Sequence, residues 1–446
     1  MMNKILAMSL LLAGGLLATS CVSEEDDLFD KTAAERLNEI KDVYSARLEA
    51  QPAGWAMQYY PTNDDEVPYG NGYLILCDFN PDHSVKVAMR NAFTDNKYDE
   101  AVSVWDVITD NGPVLSFNSY NRLFHIFSSP EDVTSTDDNE TGTGIGGDYE
   151  FVIVDAPEDA SYMMLKGKKR GTYSLLTPLE EGTDYETYFN DVNSFTSTMF
   201  ASTVPNRIYM MVKDSKYGFD EASTTIPLVY LDGTDPVLNG YHYHFLITKR
   251  YDDYYLRFRE TIFVDDNEPE AQDFRYDPTL DRFISTENSS VYIMGEDPAT
   301  FFHGEIFEEH HRWQWQTSSE MSDKFKALWN EANQQFKGFG GSLTNMVLRQ
   351  DGGQPRIRVT YNMGGTSRPD FFYNMQKDDT GVTLQYTGPA ETSGQNTLEK
   401  IPALKQIIEM MGQHLTITAA TTAFNLRYVK VALTSDPDMW FIARWN

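Results

Sequence analysis

Residues 34–60 read AERLNEIKDVYSARLEAQPAGWAMQYY, and the three parts of this stretch decide the fold. Leu37, Ile40, Tyr44 and Leu48 recur at spacings of three and four, which places them on one stripe of a helix over residues 31–51. Asp30 stands where a helix N-cap accepts from the backbone of the first turn. Pro52-Ala53-Gly54 ends the helix, and the bulky run 55–60 then reads as a strand. Residues 323–349 repeat the order. Phe325, Leu328, Ala332 and Phe336 share a helix face, Gly338 and Gly340-Gly341 break it, and 343–349 is a strand. Hairpins come next in both places, at 72–89 and at 370–386.

Between these copies the pattern is mostly strand. Residues 73–79 and 85–89 flank a turn, and 115–117 and 123–127 continue the series. After a polar, glycine-rich loop at 130–148, residues 149–154 and 162–166 read as a hairpin. A helix is expected at 184–200, then strands at 207–212, 227–231, 241–248, 254–261, 275–286 and 291–294. A helix at 319–337 opens the last part, and another at 398–411 precedes strands at 415–419, 424–433 and 440–444. The expectation is an α+β, β-dominated chain of two or three modules, each a helix followed by an antiparallel meander, with sheets curled toward barrels. The modules fall at 31–183, 184–318 and 319–446.

The N-terminus carries an address. Lys4 precedes an apolar run at 5–18, too short for the roughly 20 residues of a spanning helix, and the run ends at Thr19-Ser20-Cys21. This reads as a lipoprotein signal over residues 1–20, with Cys21 as the acylated first residue of the mature chain. Residues 21–30 form a tether. Its acidic run Glu24, Glu25, Asp26 and Asp27 reads as an export signal to the cell surface; the inner leaflet of the outer membrane is the other destination. The formal net charge of −31, from 67 acidic and 36 basic residues, repels nucleic acid and excludes it as a partner. With Cys21 lipidated only Cys77 remains, so stability rests on core burial; Cys77 lies in an apolar strand as a core filler.

The search for chemistry yields little. His242 and His244 lie two apart on a strand and share a face, but no third ligand stands nearby, so no metal or other cofactor is expected. The segment from His303 through Glu305 and Glu308 to His310 and His311 lacks zinc-protease spacing and reads as a solvated acidic turn. Trp313 and Trp315 share one strand face, as core or as a stacking surface for a flat ligand such as a sugar ring. No nucleophile elbow or phosphate loop is present, so no catalytic residue is assigned.

The acylated Cys21, the acidic tether, Phe29-Asp30, Ala33-Ala34-Glu35-Arg36-Leu37, Gly54-Trp55, Tyr59-Tyr60-Pro61 and the strand from Gly72-Tyr73 together resemble a family of Bacteroidetes lipoproteins, domain of unknown function 4302. The resemblance implies an envelope lipoprotein of the kind encoded near outer-membrane nutrient-uptake systems, and it brings no catalytic residues. The expected role is therefore non-enzymatic. It would bind a glycan or peptide, or act structurally, beside an uptake porin, held by its lipid anchor in the outer membrane at the cell surface. The rival reading is a glycan- or peptide-directed hydrolase using carboxylates brought together across modules.

Overall fold

The computed structural model describes residues 31–61, 72–110, 112–128, 146–200, 208–213, 215–222, 228–232, 242–262 and 271–446. Cys21 and the run Glu24, Glu25, Asp26 and Asp27 lie outside them. Among the described residues no helix is long and apolar enough to cross a membrane.

Helix α1 spans Ala33–Glu49. Its cap is Thr32 rather than the expected Asp30. The Thr32 hydroxyl accepts from Glu35 N, and the Glu35 carboxylate accepts from Thr32 N, a reciprocal capping box. Gly54, with φ of +75°, makes the turn into β1 (Trp55–Tyr59). Then come β2 (Tyr73–Phe79), β3 (Ser84–Met89), β4 (Asp99–Thr109), β5 (Pro113–Phe117), β6 (Glu150–Asp155), β7 (Met163–Gly167) and β8 (Tyr173–Pro178). Each strand pairs antiparallel with the next, and β8 closes on β1. An eight-stranded ring is just wide enough to be filled by side chains. Alternate residues such as Trp55, Met57, Tyr59, Trp105 and Val107 fill this one. The strand expected at 123–127 is instead a short helix, α2 (Arg122–His125). Asn121 Oδ1 accepts from Leu123 N and Phe124 N, which turns the chain helical and drives both apolar side chains into the core.

Helix α3 (Tyr185–Met199) leads to the second ring. It holds β9 (Ile208–Val212), β10 (Ser215–Ala222), β11 (Leu228–Asp232), β12 (His242–Arg250), β13 (Asp253–Ile262), β14 (Ala271–Asp277), β15 (Arg282–Ser285) and β16 (Val291–Gly295), closed by β16 on β9. The strand expected over 275–286 is a hairpin. Asp277 accepts from Thr279 N and Leu280 N, and Asp281 takes a left-handed φ of 50°, so the chain reverses there.

The third unit comprises α4 (Pro298–Phe307), β17 (Trp313–Gln316), α5 (Asp323–Gly338), β18 (Gly341–Asp351), β19 (Gln354–Met363), β20 (Thr366–Ser367), β21 (Asp370–Asp378), β22 (Gly381–Pro389), α6 (Thr392–Lys400), α7 (Pro402–Met411), β23 (His414–Ala419), β24 (Tyr428–Leu433) and β25 (Asp436–Trp445). Its strands form one nine-stranded sheet, and β18 also pairs with β19. The pairing therefore runs round a third circuit of eight strands, with β20 outside it. The helix expected at 398–411 is two helices, because Pro402 has no N–H to continue α6 and starts α7 instead. The module boundary expected at 318 also moves. Strand β17 pairs with β18 and β25, and Phe301, Phe302 and Ile306 of α4 pack in the third core. Residues 298–316 therefore belong to the third unit rather than the second.

The three rings are joined by side chains. Tyr185, Tyr188 and Phe189 of α3 share one apolar cluster with Ala56, Leu76 and Ala88 of the first ring and with the core of the second. Phe424, from the loop between β23 and β24, enters that second core as well, with its ring 5.4 Å from Phe283.

Candidate functional site: a groove on an open sheet face

Side chains alternate across a strand, and β17, β24 and β25 divide cleanly. Trp313, Trp315, Val429, Val431, Phe441 and Ala443 face the core. The opposite face carries Gln314, Gln316, Tyr428, Lys430, Trp440 and Arg444. Register brings these into rows. Gln314 stands opposite Arg444 and Arg444 opposite Tyr428, while Lys430 stands opposite Ile442. Lys430 Nζ lies 4.5 Å from the centroid of the Trp440 ring, a cation–π contact that holds the indole in place.

Two walls rise from this floor. On one side, residues 318–320 run beside β25, where Glu320 O accepts from Ile442 N at 2.9 Å and Trp440 O accepts from Ser322 N at 3.0 Å. Gln316 Nε2 donates to Ser318 Oγ at 2.8 Å, and Gln316 N donates to Ser319 Oγ, so this wall is tied to the floor. On the other side stand Ala419, Ala420 and Thr421. The open groove has a volume of about 630 Å³, within the range of small-molecule sites.

The groove is lined by aromatic, amide, hydroxyl and charged side chains. Tyr428 is 44% exposed and offers a ring face, and Trp440 offers a second. Gln314, Gln316, Ser318 and Arg444 supply hydrogen-bond donors and acceptors around them. Glu320 is the one carboxylate among the described lining residues, and no second acid stands at glycosidase separation from it along the lining. Every strand of the floor is paired on both sides, and where β17 and β25 part, residues 319–322 take up backbone groups of both.

The residues singled out from sequence fall elsewhere. Trp313 and Trp315 do share a strand face, but it is the inner one. They are 0% and 1% exposed, Trp313 Nε1 donates to Phe302 O, and Trp315 packs 4.7 Å from Phe441. They are core and cannot stack on a ligand. Of the acidic turn expected over 303–311, Glu308, Glu309 and His310 do form an exposed turn, but 303–307 end α4, capped by Asp297, and Glu305 within it is 1% exposed. Glu305 Oε2 meets His311 Nδ1 at 2.7 Å and accepts from Trp445 Nε1 at 3.1 Å, fastening α4 to the last strand. His244 is buried on β12. No three His, Cys, Asp or Glu side chains converge as a metal site among the described residues. Cys77 is buried, and burial pushes its thiol well up, away from a reactive thiolate. The groove residues were legible only as alternation: Tyr428 and Lys430 interleave with Val429 and Val431, but nothing in the sequence aligns them with Gln314 across two strands.

Closed antiparallel rings in series, carrying a polar and aromatic groove on one outer face, make this a β-dominated scaffold protein. The chain belongs to the family described as Domain of unknown function (DUF4302), which matches residues 25–278, the first ring and most of the second. The groove on the third sheet lies beyond the matched residues. No curated protein matches the chain. Among solved structures, the β sliding clamp of C. crescentus is 7% identical, with 91% of this chain and 96% of that chain covered. Its TM-score is 0.11, too low to speak for a shared fold.

Proposed function

We propose that this is a lipid-anchored protein of the outer membrane, displayed at the cell surface, that holds a neutral glycan without cleaving it and passes it to an uptake porin. Supporting the reading, the groove presents two aromatic rings, Tyr428 and Trp440, with amides and hydroxyls beside them, and two cations, Lys430 over the Trp440 ring and Arg444, with one carboxylate, Glu320. Sugar rings present an apolar C–H face and a rim of hydroxyls, and such a lining matches both. A peptide fits less well, because an extended peptide binds by adding to a free sheet edge and this floor has none. The anchor reading rests on residues 4–21 and the surface reading on Glu24, Glu25, Asp26 and Asp27; their partners are the membrane and the porin. A Bacteroidetes source rests on the resemblance of the opening motif.

The deciding experiment titrates the full chain, purified in detergent, with neutral oligosaccharides while product release is followed. Trp440→Ala should weaken binding about tenfold, since a stacked ring contributes about 0.5–1.5 kcal/mol and its loss also frees Lys430. Turnover abolished by Glu320→Gln would instead make the protein a hydrolase. For the anchor, Cys21→Ala should release the protein from membranes; a variant still resistant to carbonate washing would overturn that part.

A further inference from the structure

The groove on the third sheet does not stop at its wall. Thr421, which closes one side of it, also lines a second cleft of about 300 Å³, with Phe195, Tyr254 and Tyr276. Asp191 lines that cleft and a third one of about 320 Å³, which ends at Tyr251, a ring 72% exposed. The three hollows are therefore neighbours in a run, the first and second meeting at Thr421 and the second and third at Asp191.

Helix α3 forms the floor of the first part of the run. Thr187, Asp191, Ser194 and Thr198 recur at spacings of four, three and four, which aligns them as one polar stripe on the helix. From Thr187 to Thr198 the stripe extends about 16 Å at 1.5 Å per residue. Aromatic rings flank it. Phe195 and Tyr254 are stacked with centroids 3.9 Å apart, and Tyr276 meets Phe195 edge-on at 5.2 Å. Asp191 is paired with Lys249 Nζ at 2.6 Å, Asp184 caps the helix by accepting from Thr187 N, and Glu180 and Glu181 also line this cleft.

We propose that the run is a single extended site for a polysaccharide chain, with subsites along α3 continuing into the Trp440 groove. The assignment rests on the glycan reading above and adds the length of the ligand. A short sugar fills the 630 Å³ groove alone. Only a longer chain reaches past Thr421 to the Ser194 stripe and the Tyr251 end. The boundary residues are small or paired, and neither presents an unpaired charge to a neutral polymer.

The experiment compares a disaccharide and a long oligomer in maltose, cellobiose and xylobiose series against the full chain in detergent. In the series that binds, the long oligomer should be at least about tenfold tighter than the disaccharide, equivalent to about 1.4 kcal/mol. Ser194→Arg, an exposed helix position, should remove that gain and leave the disaccharide unchanged, while Trp440→Ala should weaken both. Equal affinity for short and long members, or a gain that survives Ser194→Arg and Thr187→Trp alike, overturns the extended site and leaves the groove reading standing. No binding by any series, with length-dependent binding of peptides in its place, overturns both.

Discussion

Gly54 shows how much a single position fixes. Its φ is +75°, and a Cβ there would stand 2.3 Å from Cys77 O and 2.7 Å from the Tyr185 hydroxyl. That hydroxyl donates to Ala53 O at 2.8 Å, so the glycine sets the turn into β1 and the docking of α3 together. Gly54→Ala should cost about 1–3 kcal/mol through strain alone, read as a lower denaturant midpoint, with more lost if Tyr185 is displaced. An unchanged midpoint would mean the turn relaxes freely. His125 and His303 argue at the same scale. Burial holds both below the ordinary imidazole value, with Lys377 adding to the effect at His303. The unfolded chain therefore binds the proton more readily. Their contribution is fully present above about pH 6.5 and is lost as pH falls through the lower folded values. Thermal stability should decline on the acid side from there, and a His125→Gln, His303→Gln double variant should flatten the slope. An identical slope in the variant would assign the effect to other groups.

At the scale of elements, the turn between β21 and β22 is a weak seam held by one side chain. The seam it leads into, β22 with β23, is paired only at Val382 with Leu415 and Thr383 with His414, whereas β18 and β19 pair along almost their whole length. Asp378 Oδ1 accepts from Thr380 N at 2.7 Å, from Thr380 Oγ1 and from Gly381 N. These Thr380 hydrogen bonds, with His414 beside them, hold the Asp378 carboxyl down at about 2. Asp378→Ala should speed hydrogen exchange at Val382 and Leu415 and leave β18–β19 unaffected; uniform exchange would show that the turn does not guard the seam. The contribution of Asp378 is present above the ordinary carboxylate range and is lost only as pH falls through about 2. Legibility in the sequence divides in the same way. The stripe of α1, the run 73–79 and the alternation of β24 are local patterns, and the sequence carries them. Strand β4 escaped because Asp99 and Glu100 open it, and helix α4 because His303 and Glu305 at its end run into the acids and histidines of 308–311, which hides the apolar Phe301, Phe302 and Ile306 around them. The groove escaped for a different reason. It exists only because β17, from one side of the helix α5, lies next to β25 from the chain's end, and a contact so distant in sequence leaves no local mark.

Across the whole molecule, one loop joins the groove to the second ring. Asp281 Oδ1 accepts from Tyr276 Oη at 2.7 Å and Thr422 Oγ1 at 2.8 Å, and its Oδ2 accepts from Ala423 N at 2.6 Å. Asn425 Nδ2 donates to Thr198 O at 3.1 Å. Gly295 leaves room for this approach, since a Cβ there would lie 2.1 Å from Ala423 O. Phe424 completes the junction in the apolar mouth of the second ring, against Phe200 and Phe283. Removing a buried Phe costs about 3–5 kcal/mol, and removing Asp281 leaves the Ala423 N–H and two hydroxyls without their acceptor. Because Thr421 borders the groove and adjoins these residues, the junction sets both the coupling of the rings and the shape of the extended site. Phe424→Ala and Asp281→Ala should therefore split calorimetric unfolding into two transitions, the second and third rings melting apart, with limited proteolysis cutting first between β23 and β24. The same variants should lose the affinity gain for a long oligomer and keep the disaccharide's. Unfolding that remains a single transition in both variants, shifted or not, would show that the rings are coupled elsewhere, through α3 and the first ring.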